Sequence, residues 1–394
     1  MSSKNLIIAF GGESPEHEVS VLTAIQAASV LNETSYNLVP LYITKSGRWL
    51  TGKHLFDLNE YENLKSAEEK STPCIFAKTN TGQTVLTENN EGILARNKKY
   101  TVDTVLTAFH GSYGENGAFQ GVFEAFNIPY TGSGIKASSI GMDKVTAKAL
   151  CESAGVQVVE GVDFYETEWA KSQDRWLKRI EALSYPVVVK PTNLGSSIGV
   201  TVAADQKNLI RAIETAFRYD EHLLVEKAVS PLIEINCSVT GTPEDCRSSV
   251  CERPLGKQEL LTFKDKYQAD EGGKGMASAE RIIPADITDE LSEKIRDTSQ
   301  KVYSLFGCSG VARLDFLINS DTNQIYFNEI NTIPGSFSFY LWKESGTGFK
   351  TLLLDMITIA KEQHRRKNGR IQTYETNLLS QKAVKGLKGL KGSK

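Results

Sequence analysis

The sequence predicts an α/β protein, on three observations. A short apolar run, Leu6-Ile7-Ile8-Ala9-Phe10, is followed by a Gly11-Gly12 turn and then by helical apolar spacing from Glu18 to Leu31. The same strand–turn–helix alternation recurs along the chain, which argues for an open α/β sheet. The length, 394 residues, suffices for two or three units with buried cores of their own. In open α/β sheets ligands sit at the carboxyl ends of the strands, where Gly11-Gly12 and His110-Gly111 fall.

The elements follow in order. A second apolar run covers Asn37 to Thr44, then a polar stretch extends to about residue 100, and Val102 to Phe109 is strand-like. Ala137 to Ala154 has helical spacing and stops before Gly155. Tyr185 to Lys190 predicts a strand, and Val200 to Ala203 another, joined by the loop Gly195-Ser196-Ser197-Ile198-Gly199. Gln206 to Tyr219 predicts a helix and His222 to Glu226 a strand. In the last third, strands are expected at Glu234 to Thr240, Val311 to Ile318 and Gln324 to Ile330. Helices are expected at Thr288 to Phe306 and Gly348 to Glu362, with a Gly-rich charged loop around Asp265 to Ala279.

Composition excludes several classes. Apolar residues make up 40% and charged residues 24%, a globular balance. No apolar run approaches the ~18 residues of a membrane span, and MSSKNLIIAFGG lacks the pattern of a signal peptide. The net charge of −3 leaves no overall footprint for nucleic acid. It hides an asymmetry, because residues 365–394 hold nine Lys/Arg and one acid, leaving the body at about −11. Such a tail reads as solvated and disordered. The six cysteines show no CxxC spacing and read as reduced packing residues of a cytoplasmic protein.

The chemistry-bearing pattern is strongest near the C-terminus. Arg313 and Asp315 are two apart on one predicted strand, and Glu329 and Asn331 two apart at the end of the next, so each pair shares a face. On neighbouring strands, Asp315, Glu329 and Asn331 converge as three oxygen ligands suited to Mg²⁺. The same spacing also fits a salt-bridged, solvated hairpin. Lys190 precedes the Gly/Ser loop, whose amides could wrap phosphates, although the loop is not a P-loop and an ordinary hairpin would look alike. The acids of Gly12-Glu13-Ser14-Pro15-Glu16-His17-Glu18 either cap a helix or hold a cationic amino group. His110-Gly111-Ser112-Tyr113-Gly114-Glu115 is a second polar turn after a strand. Met142-Asp143-Lys144, with Lys148 one turn later, is indistinguishable from a surface helix.

Taken in order, GGESPEHEVS, HGSYGENGAFQG, PYTGSG, SSIGMDK, VVVKPTNLGSSIGV, VEK, ARLDF and NEINTIPG resemble one family, the D-alanine–D-alanine ligases of the ATP-grasp superfamily. The resemblance spans residues 4 to 364. It implies a three-domain ATP-grasp architecture with an N-terminal Rossmann-like domain. The spans would be 1–132 (substrate), 133–229 (central), 230–364 (C-terminal, with the Mg²⁺ site) and the basic tail 365–394. It implies that Lys144, Lys190 and Lys266 meet ATP phosphates, Lys266 also reaching the second substrate's carboxylate, that Glu226 and Lys227 lie on the adenine side, and that Glu234 holds the ribose. Asp315, Glu329 and Asn331 match Mg²⁺ (or Mn²⁺) ligands, and Arg313 matches the arginine beside the transferred phosphate. Glu16 matches the acid that binds the first D-alanine's ammonium, supported by Ser196 and Tyr267, with His110 and Glu115 beside it. Gly335, Tyr340 and Leu341 fall where the second substrate binds. The implied activity is ligation of two D-alanines through a D-alanyl phosphate, for peptidoglycan, by a cytoplasmic homodimer with small-molecule partners only, neither nucleic acid nor membrane among them.

The chain departs from the pattern at Tyr340, where many members carry a Ser before the Leu whose hydroxyl and nearby amide bind the second substrate's carboxylate. In the family a Tyr at the place of Tyr267 goes with an amine nucleophile, so the resemblance implies a dipeptide product. The departure at Tyr340 leaves D-serine or D-lactate as second substrate as the alternative. A non-catalytic ATP-binding module would lack a metal ligand or Arg313, and neither is missing. An ATP-grasp ligase for unrelated acids would not carry GGESPEHEVS and HGSYGENG.

Overall fold

The computed structural model describes residues 4–91, 96–255 and 281–373. Its strands form three sheets. The first is β1 (Lys4–Gly11), β2 (Tyr36–Ile43), β3 (Trp49–Thr51), β4 (Thr72–Lys78), β5 (Thr84–Glu88) and β6 (Lys99–Thr107), paired in sequence order and closed into a ring. β1 is parallel to both β2 and β6, while β2-β3, β3-β4, β4-β5 and β5-β6 are antiparallel. The expected open sheet is thus corrected. Three short strands between residues 49 and 88, inside the stretch read as merely polar, carry β2 round to β6. β4 shows why they form: Cys74 and Phe76 point inward while Pro73 and Ile75 face out, a period-two pattern.

β1 ends where the chain must turn without a side chain. Gly11 has φ +87°, and a Cβ there would come 2.1 Å from the Ile43 carbonyl oxygen. The His17–Leu31 helix then starts, and its Ser20 hydroxyl ties it back, accepting from the Gly11 amide at 2.7 Å and donating to the Ala108 carbonyl at 2.7 Å.

The second sheet has the order β7-β10-β8-β9, from β7 (Gly161–Tyr165), β8 (Val187–Pro191), β9 (Thr201–Ala203) and β10 (His222–Lys227). One face, with Val187, Val189, Leu223 and Val225, packs on its own apolar core. The other carries Lys190 and Glu226. The third sheet has the order β13-β12-β11-β14-β15, from β11 (Leu232–Gly241), β12 (Cys246–Pro254), β13 (Arg281–Ile282), β14 (Gly310–Asn319) and β15 (Gln324–Asn331). Behind it the helix Asp289–Phe306 starts at a Thr288 cap, whose side chain accepts from the Leu291 amide.

Two helical expectations change. The predicted helix Ala137–Ala154 is two helices, Ile135–Met142 and Lys144–Ser153, because Asp143 leaves helical geometry (ψ 104°) and caps the second by accepting from the Thr146 amide at 3.0 Å. The last helix, Phe349–Asn368, runs past 364 into the predicted tail. Its Leu352, Leu353, Met356 and Ile357 belong to the core of the first sheet, so the end of the chain completes the packing of its beginning. Likewise Ala147 and Cys151 pack with the third sheet.

Candidate active site

The third sheet supplies the floor. β14 and β15 pair in the register the sequence requires, Arg313 opposite Asn331 and Asp315 opposite Glu329. The predicted convergence of Asp315, Glu329 and Asn331 is therefore observed. Arg313 grips Asp315 with two parallel bonds of 2.7 Å, and the Asn331 side-chain amide donates to the same carboxylate at 3.2 Å. A register shift after Asp315 leaves Asn328 outside the pairing. Asn328 Oδ1 accepts from Lys190 Nζ at 2.9 Å, joining the second sheet to the third. Glu234 lies on the same face, opposite Leu317 and two residues from Asn236, which is opposite Asp315.

The roof is cationic. Lys144 Nζ lies 3.3 Å from Glu329 and also donates to the Leu194 carbonyl. Lys190 Nζ lies 2.6 Å from Glu226, and Lys148 Nζ 2.5 Å from the other oxygen of that carboxylate. Glu226 is 1% exposed. Burial works against its charge, but the two lysines hold its carboxyl below the usual range, so it sits ionised between them. Lys148, which its sequence context leaves indistinguishable from a surface-helix residue, is buried. Its signal was present, since Lys144, Ala147, Lys148 and Cys151 recur at helical spacing and all four are buried. Lys227 is exposed at the end of β10.

A third wall comes from the first sheet. Glu16, 7% exposed, accepts from the Ser196 hydroxyl across 180 residues of sequence. Gly111 has φ +67°, and a Cβ on it would stand 2.5 Å from Glu16 Oε2, so only glycine lets this turn reach the carboxylate. Glu115 accepts from the Gly111 amide at 2.6 Å and from the Ile333 amide at 3.1 Å. Burial, and then the charge of Glu16, push Glu115 up to about 8 against those two bonds. His110 is buried beside Thr23, Nε2 to Oγ1 2.8 Å, and burial lowers it to about 3, so the ring is neutral.

The segment after Asn331 closes the site. Gly335 is buried, and Ser336, Phe337 and Ser338 all take left-handed conformations (φ 50°, 53°, 49°). Each such residue costs about 1–2 kcal/mol, a strain of the kind that clusters at functional sites. Thr23 holds the turn, accepting from the Ser336 amide at 3.1 Å. Ser196 and Ser197 are left-handed as well (φ 53°, 58°). Leu341 is fully buried, while Tyr340 donates its phenol to Glu252 at 3.0 Å. Sequence reasoning missed Thr23, Asn328 and Glu252, because each is an ordinary residue made significant by a partner far along the chain. Lys266 and Tyr267 lie outside the described residues.

An arrangement of this build, with paired acids beside buried lysines and a further buried acid, Glu16, bonded to Ser196, agrees with the motif order. A model of the D-ala D-ala ligase N-terminus matches residues 5–133, and one of the D-ala D-ala ligase C-terminus matches residues 150–358. The chain belongs to the D-alanine–D-alanine ligase family. A D-alanine–D-alanine ligase of Thermosipho africanus is 39% identical over 382 residues, 97% of this chain and 100% of that one. The Caldicellulosiruptor bescii D-alanine–D-alanine ligase is 36% identical over 93% of this chain and 98% of its own. Among solved structures, the VanG D-Ala:D-Ser ligase from Enterococcus faecalis superposes with a TM-score of 0.76 at 28% identity, covering 91% of this chain and 100% of that one. The D-alanine-D-alanine ligase from Coxiella burnetii gives 0.74 at 24% identity, over 94% and 97%, a likeness of fold. Family membership makes this an ATP-dependent ligase with the ATP-grasp fold. No helix among the described residues is long and apolar enough to cross a membrane.

Proposed function

We propose that this chain joins two D-alanines into D-alanyl-D-alanine, with ATP consumed to ADP and phosphate. The observation that carries the reading is the meeting, from three sheets, of Glu16, the Arg313–Asp315–Glu329–Asn331 face and the Lys144–Lys190 pair. Each answers a separate chemical demand. Glu16 takes the ammonium of the first D-alanine, with the Ser196 hydroxyl orienting its carboxylate. Lys144 and Lys190 exchange their present carboxylate partners for ATP phosphates. Glu226 and Lys227 lie towards the adenine and Glu234 towards the ribose.

Asp315, Glu329 and Asn331 would hold Mg²⁺. All three donors are oxygens on one sheet face, and two are carboxylates now neutralised by Arg313 and Lys144, a set that fits a hard divalent cation. When bound, the ion offsets the charge of the phosphates. Arg313, fixed by Asp315, faces the γ-phosphate as the first D-alanine's carboxylate oxygen attacks phosphorus and ADP departs. The second D-alanine's amine then attacks the acyl carbonyl, loses a proton, and phosphate leaves. Lys266 and Tyr267 belong to this proposal through the resemblance alone. So do homodimerisation, a cytoplasmic location, a role in peptidoglycan synthesis and the division at about 132 and 229. The last is supported by each sheet lying within one of those spans.

The test is phosphate release from Mg-ATP with D-alanine, alone and paired with D-serine or D-lactate, products read by mass. D-Alanyl-D-alanine as the main product is expected. Turnover only with a different second substrate would shift the assignment, for which Tyr340 is the specific motive. ATP binding without D-alanine-dependent turnover would overturn it.

A further inference from the structure

Lys148 is a buried cation that the proposed reaction does not use. It is 5% exposed, one turn after Lys144 on the Lys144–Ser153 helix. Its Nζ lies 2.5 Å from Glu226 Oε1 and 3.5 Å from the Phe327 carbonyl of β15. The residue after Phe327, Asn328, accepts from Lys190 Nζ, which also lies 2.6 Å from Glu226 Oε2. Lys148, Glu226 and Lys190 thus form one buried row, a single carboxylate between two ammoniums. Burial brings Lys148 below the usual lysine value, and Glu226 is the strongest influence opposing it. In return, Lys148 leads Lys190 among the influences that hold Glu226 ionised against burial.

Burying a second ammonium beside one carboxylate is costly, and the exchange of partners on ATP binding gives it a use. When Lys144 leaves Glu329 for a phosphate, that carboxylate has the proposed metal as its next partner. Asp315 keeps Arg313 throughout. Glu226 stands on the second sheet, outside the metal set. When Lys190 leaves it, a carboxylate only 1% exposed would be stranded without a cation unless another remains. We propose that Lys148 is the positioning residue that remains. It keeps Glu226 neutralised while Lys190 passes to the ATP phosphates, and so sets how readily Lys190 can take hold of the nucleotide. Its place suits that task, because it comes from a helix packed on the third sheet and is not carried by the strand that bears Lys190. The inference rests on the phosphate role given to Lys190 above and supplies the counter-ion that this role requires.

The experiment titrates the full chain calorimetrically with Mg-ATP in the absence of D-alanine, so that affinity is read apart from turnover. Lys148→Met should weaken binding about 100-fold, the scale of removing one partner of a buried ion pair. The same substitution in a Glu226→Gln background should cost less than about threefold, because no carboxylate then retains Lys190. Any contact between Glu226 and the nucleotide is missing from both members of that second pair and cancels. Lys148→Arg keeps the charge and should recover most of the affinity. A crystal structure of the wild-type chain with Mg²⁺ and a β,γ-methylene analogue of ATP gives a reading that needs no variant to fold. Lys190 Nζ should then stand more than about 4 Å from Glu226, beyond ion-pair distance, with Lys148 still bonded to it. Equal losses in the two backgrounds would mean that Lys148 meets the nucleotide directly, and would overturn the proposal. So would a Lys148→Met chain that loses thermal stability but no affinity, or a complex in which Lys190 keeps Glu226. A chain that binds Mg-ATP with this pattern but makes no D-alanine-dependent product would fail the ligase reading and uphold this one.

Discussion

At the scale of single residues, Glu16 and Glu115 share a site but not a task. Glu16 is oriented by Ser196, while Glu115 is braced by two backbone amides and kept largely protonated near neutrality. Glu16→Gln removes the negative charge that a substrate ammonium needs. It should lower kcat/KM for D-alanine about 100-fold, in the range of a charged hydrogen bond, with the ATP KM unchanged in steady-state assays. Glu115 makes a prediction about stability. The unfolded chain loses this proton near 4.5 and the native site near 8, so between those values the native state binds more protons and stability falls as pH rises. His110 works in the opposite sense. Its unfolded value is 6.5 and its native value about 3, so it makes stability rise with pH across that interval. From 6.5 to 8 Glu115 acts without His110. The thermal midpoint of the substrate-free protein should decline over that window, and Glu115→Gln should flatten the decline. A slope unchanged in the variant would refute the assignment.

At the scale of elements, the site depends on where regular structure is interrupted. Asp143 breaks one predicted helix into two and sets Lys144 as the first residue of the second, its amide bonded to the Thr192 carbonyl at 3.1 Å. Asp143→Ala removes a cap worth about 1 kcal/mol. It should lower stability by that amount in denaturant titration and raise the ATP KM severalfold, because the break aims Lys144. The turn at Ser336–Ser338 bears a cost with a visible remedy. Ser338 has φ 49°, and its buried hydroxyl has no hydrogen-bond partner among the described residues. Ser338→Gly should stabilise the protein by about 1 kcal/mol, the left-handed penalty less the entropy glycine adds to the unfolded chain. Much of this scale was legible in advance. The β14–β15 register followed from the two i, i+2 pairs, and the Gly/Ser loop from its composition. The Asp143 break was not, because apolar spacing continues unbroken across it. The strands β3 to β5 were hidden for another reason. Each is short, and polar neighbours dilute an alternation that only ring closure makes decisive.

At the scale of the whole molecule, sequence order and packing order diverge. The core of the first sheet includes Phe337, Trp342, Leu352, Leu353, Met356 and Ile357, all from the far end of the chain. Hydrophobic periodicity could identify these as buried but could not say against what, since partner choice is a long-range matter that one sequence's local pattern does not record. The same crossing brings the Gly335–Ser338 turn against Thr23, and the Ile333 amide against Glu115, so packing and the candidate site share one seam. A consequence separates this arrangement from three independent units. Residues 1–132 expressed alone would leave their core without those six apolar side chains. Each truncation of that kind costs about 2–5 kcal/mol when buried, against a typical domain stability of about 5–15 kcal/mol. The fragment should therefore show no cooperative thermal transition and should bind a dye for exposed apolar surface. A chain ending at residue 373 keeps the whole Phe349–Asn368 helix and should unfold cooperatively. Ending at 348 removes four of those six side chains and should expose apolar surface to the dye, with the transition of the first sheet lost while the second and third sheets keep their own cores. A 1–132 fragment that melts cooperatively would show instead that the C-terminal helix only decorates a core already complete.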